Sequence, residues 1–336
     1  MDYPLTSNTQ QLKLINVAHV IETMKALRRG TKATVAQATG LSLATCGTIL
    51  NSLCASGEIL HEALEASSGG RPAQRFIYNE HFFYVFSLAV AGEHGHYVYG
   101  YTLTTAIGTL VAGGRETLPS ADTASVIAFI HGKTAQYNVR AIGIGLPGVI
   151  VDGRVLTCDI SAFEDVALRD ILAARFAAFI RIGNDMNFTA YGFYKNRRLS
   201  KDQPLAYLMF PEKHCPGCGI IVGGKALEGA TQFAGEIAHL PCLNRPGAGR
   251  ALARTVADTV ISLISIINPG TIAVTGAGLG PQMTADIFRL CRETIPRQHV
   301  PDIIYRESMD DDYLRGIAEM TLESANYQRL FGASRR

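Results

Sequence analysis

The chain has 336 residues, of which 47% are hydrophobic and 18% are charged, and its formal net charge is +2. It is long enough for more than one hydrophobic core, because single cores stop growing at roughly 250 to 300 residues. The near-neutral charge indicates no particular partner, and no apolar run approaches the roughly 18 residues of a membrane span. Because the N-terminus lacks the basic start and apolar core of a signal peptide, we expect a cytoplasmic protein without a membrane partner. The seven scattered cysteines do not form the pattern of a disulfide framework.

The first predicted element is a helix over residues 11–29, in which apolar side chains recur every three or four positions. The inward stripe comprises Leu14, Val17, Ile21, Met24 and Leu27. Such a stripe turns one side of a helix toward a core. We therefore expect this helix to support the elements that follow it.

Two shorter helices follow, joined by a tight turn. Thr31 is placed to cap the first of them, in which Val35 and Ala38 are expected to be buried. Gly40 supplies the left-handed residue that ends this helix. The spacing predicts a helix, a short turn and a second helix.

The third helix is predicted to begin after the cap residue Ser42 and to end at Gly57. The side chains expected to point inward are Cys46, Ile49, Leu50 and Leu53. The opposite face carries Ala44, Thr45, Thr48 and Asn51. In a helix-turn-helix this outer face enters the major groove of DNA. It has no Arg or Lys, which are the strongest readers of guanine, so we expect modest sequence specificity.

Two short strands, over residues 59–61 and 76–78, are predicted to form a hairpin after the third helix. Its tip, residues 67–72, reads SSGGRP, and an arginine there suits a narrow minor groove with enhanced negative potential. The alternative is a flexible glycine-rich hairpin with a solvated Arg71. Together these segments predict a winged helix-turn-helix domain over residues 1–80 that binds double-stranded operator DNA. The residues expected to contact DNA are Ser42, Thr45, Thr48, Asn51 and Arg71.

The remainder of the chain has a different pattern. A meander of three strands is predicted over residues 83–90, 96–102 and 108–112. Further strands, at 140–145, 179–182 and 206–210, alternate with helices at about 167–178, 187–195 and 251–267. Such alternation predicts an α/β fold with mixed sheets.

Four motifs stand out in this part of the chain: IGIGLPG at 142–148, GNDMN at 183–187, FAGEIAH at 233–239 and IAVTGAGL at 272–279. In order and spacing they resemble the ROK family, which comprises sugar kinases and sugar-responsive repressors. The likeness covers about residues 11–330 and includes the winged helix that the repressor branch carries and the kinases lack. It implies a two-lobed, actin-like (ribonuclease H-like) ATPase fold over residues 81–336. The implied lobes are about 81–198 plus 315–336, and 199–314.

The resemblance also implies a sugar site. In the kinases an aspartate of an Asn-Asp pair deprotonates a sugar hydroxyl, while a Glu and a His hold neighbouring hydroxyls. The corresponding residues, expected to bind a ligand here, are Asn184, Asp185, Glu236 and His239. The alternative is that Asn184 and Asp185 merely cap the helix near Asn187. The family's sugar-specificity segment, Asn-x-x-Gly-Trp, is replaced by CDISAFED at 158–165, and the chain has no Trp.

The phosphate-binding elements of the family are altered in this sequence. An Asp-x-Gly-Gly-Thr hairpin is replaced by AVAGEHGH at 89–96, without the aspartate or the Gly-Gly-Thr. A second loop, usually Gly-Thr-Gly-Ile-Gly-Gly-Gly, reads KHCPGCG at 213–219, where Pro216 removes an amide donor. Phosphoryl transfer needs these donors near the base. We therefore expect no kinase activity, no catalytic residue and no cofactor.

The zinc site of the family is also expected to be missing. That site joins the His of the Glu-x-x-His segment to three clustered cysteines. After His239 this sequence has only Cys242 nearby. Cys215 and Cys218 provide too few ligands for a replacement site with His214 or His239, and they fit a redox pair or two buried thiols equally well.

The sequence thus favours a ROK-type transcriptional regulator that represses by binding operator DNA. A homodimer or homotetramer is expected, because one small motif reads only a few base pairs. A sugar or sugar derivative between the lobes is the expected effector. Two alternatives stay open: a sugar kinase with divergent phosphate loops, and a regulator with no small-molecule effector.

Overall fold

The computed structural model describes residues 9–62, 74–93, 95–212, 215–243 and 252–332. Within these residues the chain forms two compact units. The smaller unit comprises residues 1–84, 104–111 and 323–336, and the larger comprises 85–103 and 112–322.

The smaller unit begins with three helices, α1 (Thr9–Leu27), α2 (Lys32–Thr39) and α3 (Leu43–Ala55). α1 buries Val20, Ile21 and Met24 against the core of this unit. It ends where Arg28 takes a left-handed φ of 65°. Leu27, predicted to face inward, is 37% exposed because the chain turns away from the helix at the next residue.

The caps of α2 form as predicted, but its buried face differs. The Thr31 hydroxyl accepts a hydrogen bond from a backbone N–H in the first turn at 3.2 Å, and Gly40 ends the helix with a φ of 70°. The prediction that Ala38 is buried was wrong, and Thr39 is buried in its place. Thr39 lies one turn beyond Val35, and its hydroxyl donates to the Val35 carbonyl at 2.7 Å. Because that hydrogen bond satisfies the hydroxyl, the side chain is buried at little cost.

Three short strands complete the head of this unit: β1 (Arg29–Thr31), β2 (Ile59–His61) and β3 (Arg75–Tyr78). They form an antiparallel sheet in the order β1-β3-β2. The predicted hairpin of β2 and β3 is confirmed, whereas β1 was not predicted, because three residues around a glycine show no alternation. The hairpin tip with Arg71 lies outside the described residues.

The first half of the larger unit is a five-stranded sheet with a small hairpin and three helices. Its elements are β4 (Tyr84–Glu93), β5 (His96–Thr105), β6 (Leu110–Leu118), α4 (Thr123–Thr134), β7 (Val139–Leu146), β8 (Gly148–Val151), β9 (Arg154–Cys158), α5 (Leu168–Ala173), β10 (Phe179–Asn184) and α6 (Asp185–Arg197). The sheet order is β10-β7-β4-β5-β6. β8 pairs with β9 in a separate hairpin.

The second half has a second five-stranded sheet. Its elements are β11 (Leu205–Phe210), β12 (Gly217–Val222), β13 (Lys225–Ala226), α7 (Leu252–Ile267), β14 (Thr271–Gly276), α8 (Pro281–Cys291), β15 (Asp302–Tyr305) and α9 (Asp310–Phe331), of which the part from residue 323 onward belongs to the smaller unit. The sheet order is β13-β12-β11-β14-β15. β11 and β14 pair in parallel and β11 and β12 antiparallel, so the prediction of mixed sheets is confirmed.

Two predicted boundaries were wrong. The third strand of the meander begins at Leu110, because Gly108 is a turn residue with a φ of 82°. The helix predicted over 167–178 is the short α5, and a strand begins at Phe179.

α6 and α9 cross with their backbones in contact. A Cβ atom placed on Gly192 of α6 would lie 1.7 Å from the carbonyl oxygen of Asp312. A Cβ placed on Gly316 of α9 would lie 1.8 Å from the carbonyl oxygen of Phe188. Neither glycine takes a left-handed φ. The two glycines are therefore required by the close approach of the helices, since any side chain would overlap with backbone atoms.

A buried ion pair lies inside the smaller unit. Arg329, near the end of α9, donates from both terminal nitrogens to Glu58, with distances of 2.6 and 2.9 Å. The side chain of Glu58 is 2% exposed and that of Arg329 is 29% exposed. The Tyr78 hydroxyl donates to the same carboxylate at 3.1 Å. The residue that precedes β2 is thereby joined to the last helix of the chain.

Among the described residues no single helix is long and apolar enough to cross a membrane. α2 and α3 together are long and apolar enough by length and composition, but the two helices are bent by 115° relative to each other.

Candidate functional site

A cavity of about 440 Å³ lies in the larger unit. It sits at the carboxyl ends of β4, β7, β10 and β11, which is the edge where α/β sheets bind ligands. Its volume falls in the range of small-molecule sites, roughly 300 to 1,000 Å³. Residues from both five-stranded sheets contribute to its wall.

The junction of β10 and α6 places Asn184 and Asp185 at this cavity. Asn184 caps α6 by accepting from the N–H of Asn187 at 3.0 Å, and its amide donates to the Gly148 carbonyl at 2.9 Å. The capping role considered from the sequence is therefore present, and it belongs to Asn184. The Asp185 carboxylate accepts from the N–H of Met186 at 2.8 Å. Asn184 thus fixes the turn that holds Asp185 against the cavity.

Asp185 has an unusual protonation equilibrium. Its side chain lines the cavity, and the residue is 8% exposed. Burial raises its pKa from the ordinary 3.8 to about 7, and the charges of Asp159 and Glu236 act in the same direction. A carboxyl group with a pKa near neutrality both accepts and donates protons at that pH.

Glu236 reaches the cavity from the loop that follows β13. The loop lies close to β12, since a Cβ on Gly235, whose φ is 96°, would lie 2.1 Å from the Cys218 carbonyl oxygen. Burial raises the pKa of Glu236, the charge of His239 lowers it, and that of Asp159 raises it. His239 itself is exposed, stacks beside Phe233 at 5.3 Å and does not line the cavity. The structure therefore brings Asn184, Asp185 and Glu236 together at the cavity without His239.

Several residues of the cavity wall were not predicted. These are Asp159, Glu164, Arg181, Glu228, Met309 and Met320. Asp159 and Glu164 lie in the loop that replaces the family's sugar-specificity segment. Their carboxylates, at the position of that segment, could have indicated from the sequence that they line the cavity. Met309 directly precedes α9 and Met320 lies in its middle, both more than 120 residues after Asp185, and no local sequence pattern indicates their position in the cavity.

Two described residues stand where the family's phosphate loops are expected. Gly92 belongs to β4, and its backbone is extended rather than folded into a turn. Pro216 has no N–H group to offer. Both residues line the cavity. An extended Gly92 and a proline at 216 therefore contribute no pair of converging amides of the kind that binds phosphate.

Burial favours the protonated form of two thiols near the cavity, those of Cys158 and Cys218. Burial raises the pKa of Cys158 to about 11 and that of Cys218 to about 12, whereas metal binding and nucleophilic attack need the thiolate. Cys215, in the same wall, is exposed. In the part of the chain that the structure describes, no three His, Cys, Asp or Glu residues are grouped to hold a metal ion.

A second surface lies on α2 and α3 of the smaller unit. The two helices meet at 115°, within the range of about 90–120° seen in helix-turn-helix motifs. Ser42 caps α3 by accepting from the N–H of Thr45 at 3.1 Å. The cap fixes the direction in which α3 leaves the turn.

The predicted DNA-contacting side chains differ in their availability. The hydroxyls of Ser42 and Thr45 lie 2.8 Å apart, and Thr48 donates to the carbonyl of Ala44 at 3.1 Å. Thr48 and Asn51 are exposed, while Thr45 is half-buried. Exposed hydroxyl and amide groups can read bases and phosphates.

Lys32 adds a cation that the sequence did not predict for this surface. It is the first residue of α2, and its side chain lies over Gly47 of α3, where a Cβ would lie 3.5 Å from Lys32 Cδ. Since the first helix of the motif crosses the DNA backbone, a lysine here suits a phosphate contact.

The larger unit matches a known family. The family model described as ROK family matches residues 111–249. The chain carries a ROK-family domain. A xylose repressor of Caldicellulosiruptor bescii is 23% identical to it over 244 residues, which cover 69% of this chain and 60% of the relative. The chain thus spans about three fifths of the length of that repressor.

Other matches agree with the ROK-family domain. An N-acetyl-D-glucosamine kinase of Vibrio vulnificus is 30% identical over 137 residues, covering 39% of this chain and 45% of the kinase. A crystal structure of a ROK family transcriptional regulator, a homologue of the E. coli MLC protein, aligns with a TM-score of 0.72 at 16% identity. The alignment covers 96% of this chain and 99% of that one. The resemblance to the ROK family and the predicted α/β fold are confirmed, and the capped helices α2 and α3 agree with the predicted N-terminal helix-turn-helix.

Proposed function

We propose that the chain is a DNA-binding transcriptional regulator, acting as a repressor, whose larger unit senses a small polyhydroxy ligand and does not transfer phosphate. The observation that carries this proposal is the helix pair α2 and α3, which meets at the helix-turn-helix angle with a capped second helix. The relatives named xylose repressor support it. DNA binding is assigned to residues 1–80 and sensing to residues 81–336, in the cytoplasm.

A homodimer or homotetramer is part of this proposal. One recognition helix contacts only a few base pairs, and α3 has no Arg or Lys to strengthen each contact. Two heads spaced by one helical turn of DNA supply the remaining affinity. We expect sedimentation of the purified chain to give a dimer or a larger even-numbered assembly.

The test is selection of DNA fragments by the purified chain, followed by fluorescence anisotropy. Asn51→Ala is expected to weaken binding to the selected site by about 1 to 3 kcal/mol and to relax specificity. Lys32→Ala is expected to weaken binding to all DNA sequences equally. It is also expected to reduce the salt dependence of the binding constant by the equivalent of about one phosphate contact. Arg71→Ala is expected to weaken binding to sites with a narrow minor groove. Glu307→Ala, an exposed residue of the larger unit, is the control.

A second candidate function is favoured by one observation. Asp185 lines the cavity with a pKa of about 7, which suits a general base for a sugar hydroxyl. The kinase reading predicts ATP consumption that depends on xylose, glucose or N-acetylglucosamine and is abolished by Asp185→Asn. We expect no such consumption, because Pro216 and the extended strand at Gly92 provide no phosphate cradle. Sugar-dependent ATP hydrolysis that the variant loses would establish the kinase instead.

A further inference from the structure

The first turn of α3 presents an apolar side chain where the second helix of a helix-turn-helix meets the bases of DNA. Leu43 is the first residue of α3, directly after the cap residue Ser42, and it is 59% exposed. Among the described large apolar side chains of α1, α2 and α3 it is the most exposed. Ala44, the next residue, is exposed as well. Because the N-terminal residues of the second helix contact base edges, Leu43 occupies a base-contacting position.

Polar groups near Leu43 are already engaged within the helix. The hydroxyls of Ser42 and Thr45 lie 2.8 Å apart, so one donates to the other, and Ser42 also accepts from the N–H of Thr45 at 3.1 Å. The Thr48 hydroxyl donates its single hydrogen to the carbonyl of Ala44 at 3.1 Å. Two of the three hydroxyl hydrogens are therefore used inside the helix. The carbon surface of Leu43 and Ala44 remains available to a partner.

Leu43 is continuous with the side chains that are expected to contact DNA. Leu43, Gly47 and Asn51 are spaced by four residues and therefore lie along one side of α3. Lys32 covers Gly47, since a Cβ there would lie 3.5 Å from Lys32 Cδ. A phosphate contact by Lys32 and a base contact by Asn51 would enclose Leu43 in the same interface. An apolar side chain in that place requires an apolar partner, because polar groups buried against it lose hydrogen bonds to water.

Thymine is the base that provides such a partner. In the major groove the edges of guanine, adenine and cytosine present hydrogen-bond donors and acceptors, whereas thymine also presents its C5-methyl group. A leucine pressed against a purine edge would leave donors or acceptors unpaired, which is costly. Contact with the methyl group instead removes apolar surface of both partners from water.

We propose that Leu43 is a specificity-determining residue whose side chain contacts the C5-methyl group of a thymine in the major groove. This assignment rests on the proposed DNA-binding function, and it names one base that each half of the operator carries. Leu43 thus contributes specificity on a helix that has no Arg or Lys for the recognition of guanine.

The experiment replaces single thymines by uracil, which removes the C5-methyl group and keeps every hydrogen-bonding group of the base. The full chain first selects its site from random duplexes, and affinities for the substituted duplexes are then measured by fluorescence anisotropy. With the parent chain, uracil at one thymine in each half-site is expected to weaken binding about fourfold, which corresponds to one buried methyl group. With Leu43→Ala, the same replacement is expected to make no difference.

Two variants are matched controls for the loss of the uracil effect. Leu43→Met keeps an apolar side chain at the start of α3 and is expected to keep the effect. Leu110→Ala shortens a leucine of β6 that is 64% exposed, and it is expected to keep the effect as well. Circular dichroism establishes that each variant is folded.

Three results would overturn the inference. The first is a selected site at which no thymine is sensitive to uracil. The second is a uracil effect that persists in Leu43→Ala; its loss in Thr48→Ser would assign the methyl contact to Thr48. The third is a change in the sedimentation of Leu43→Ala, which would assign the leucine to an interface between copies of the chain.

The same measurements separate this inference from the proposed function. Failure of the purified chain to select any DNA would remove the proposed DNA-binding function and the role of Leu43 with it. Selection of a site without a uracil effect that depends on Leu43 would remove only the role of Leu43.

Discussion

Replacing Arg329 by leucine tests how the last helix is joined to the head of the smaller unit. The substitution removes both hydrogen bonds from the guanidinium to Glu58, whose side chain is 2% exposed. Among the residues that the structure describes, the Tyr78 hydroxyl is then the side chain that still donates to this carboxylate. A leucine side chain fills part of the volume of the arginine stem. The main cost is therefore the uncompensated charge of Glu58 rather than a cavity.

The magnitude follows from the burial of the two partners. Breaking a buried ion pair by removing one partner costs about 3 to 5 kcal/mol. Arg329 is 29% exposed, so water reaches its site and the lower end applies. We expect the free energy of opening the β2–β3 hairpin to fall by about 3 kcal/mol, which is roughly a hundredfold in the opening equilibrium.

Hydrogen exchange measured by mass spectrometry is the suitable assay, because it reports on local opening. Peptides that cover residues 58–62 and 75–79 are expected to lose about two orders of magnitude of protection in Arg329→Leu. Peptides from β11 and β14, in the larger unit, are expected to exchange as in the parent chain. The double variant Glu58→Leu/Arg329→Leu is expected to recover most of the loss, since no buried charge remains.

Two results would refute this reasoning. A loss of protection below about fivefold in Arg329→Leu would mean that the pair contributes as little as a surface ion pair. A double variant with less protection than the single variant would mean that the cost comes from packing of the side chains rather than from the charge of Glu58.

Three further predictions concern single positions. Gly316→Ala is expected to lower the free energy of unfolding of the larger unit by at least about 3 kcal/mol, measured by urea unfolding followed by circular dichroism. Gly92→Ala is the control, because a Cβ there meets open space, and it is expected to change the free energy of unfolding by under about 1 kcal/mol. Asp185 has a pKa of about 7 in the folded chain against an ordinary 3.8, so its contribution to stability falls as the pH rises between these values. Asp185→Asn is therefore expected to raise the free energy of unfolding by up to about 4 kcal/mol at about pH 8 and by almost nothing at about pH 4. Equal effects at both pH values would contradict this. Ser42→Ala is expected to lower the thermal stability of the smaller unit by about 1 kcal/mol, while Ser42→Asp, which keeps the cap, is expected to restore it.

The parts of the fold that depend on local chemistry were predictable. Thr31, Gly40 and Ser42 occupy the cap positions expected from the sequence, because caps are decided by the side chain and φ preference of one residue. Strand β1 and the burial of Thr39 were not predictable in this way. β1 forms because it pairs with β3, which comes later in the chain. Thr39 can be buried because its hydroxyl donates a hydrogen bond to the carbonyl of Val35.

In the cavity too, some residues could be predicted from the sequence and others depend on the fold. Asn184, Asp185 and Glu236 were predicted from motifs, and the structure places all three at one cavity. Their contact with a ligand stays a prediction, as does that of His239, which lies outside the wall. The methionines of the wall were not predictable, since α9 reaches the cavity only through the fold. The raised pKa of Asp185 comes mainly from its burial, with a smaller contribution from the charge of Asp159, and both depend on the fold.

The crossing of α6 and α9 has a mechanical consequence. α6 lies against β11 and β12, while α9 covers β7, where Cβ atoms on Gly143 and Gly145 would overlap with side chains of α9. The two helices touch through the backbone at Gly192 and Gly316, and beside this contact Phe188 of α6 packs against Tyr313 and Ile317 of α9. Asn196 also donates to Asp312 across the crossing at 2.7 Å. Backbone contact fixes the distance between the helix axes, and the packed side chains hold the angle between them. The crossing is therefore a rigid brace, and Phe188 and Met320 carry it into the wall of the cavity.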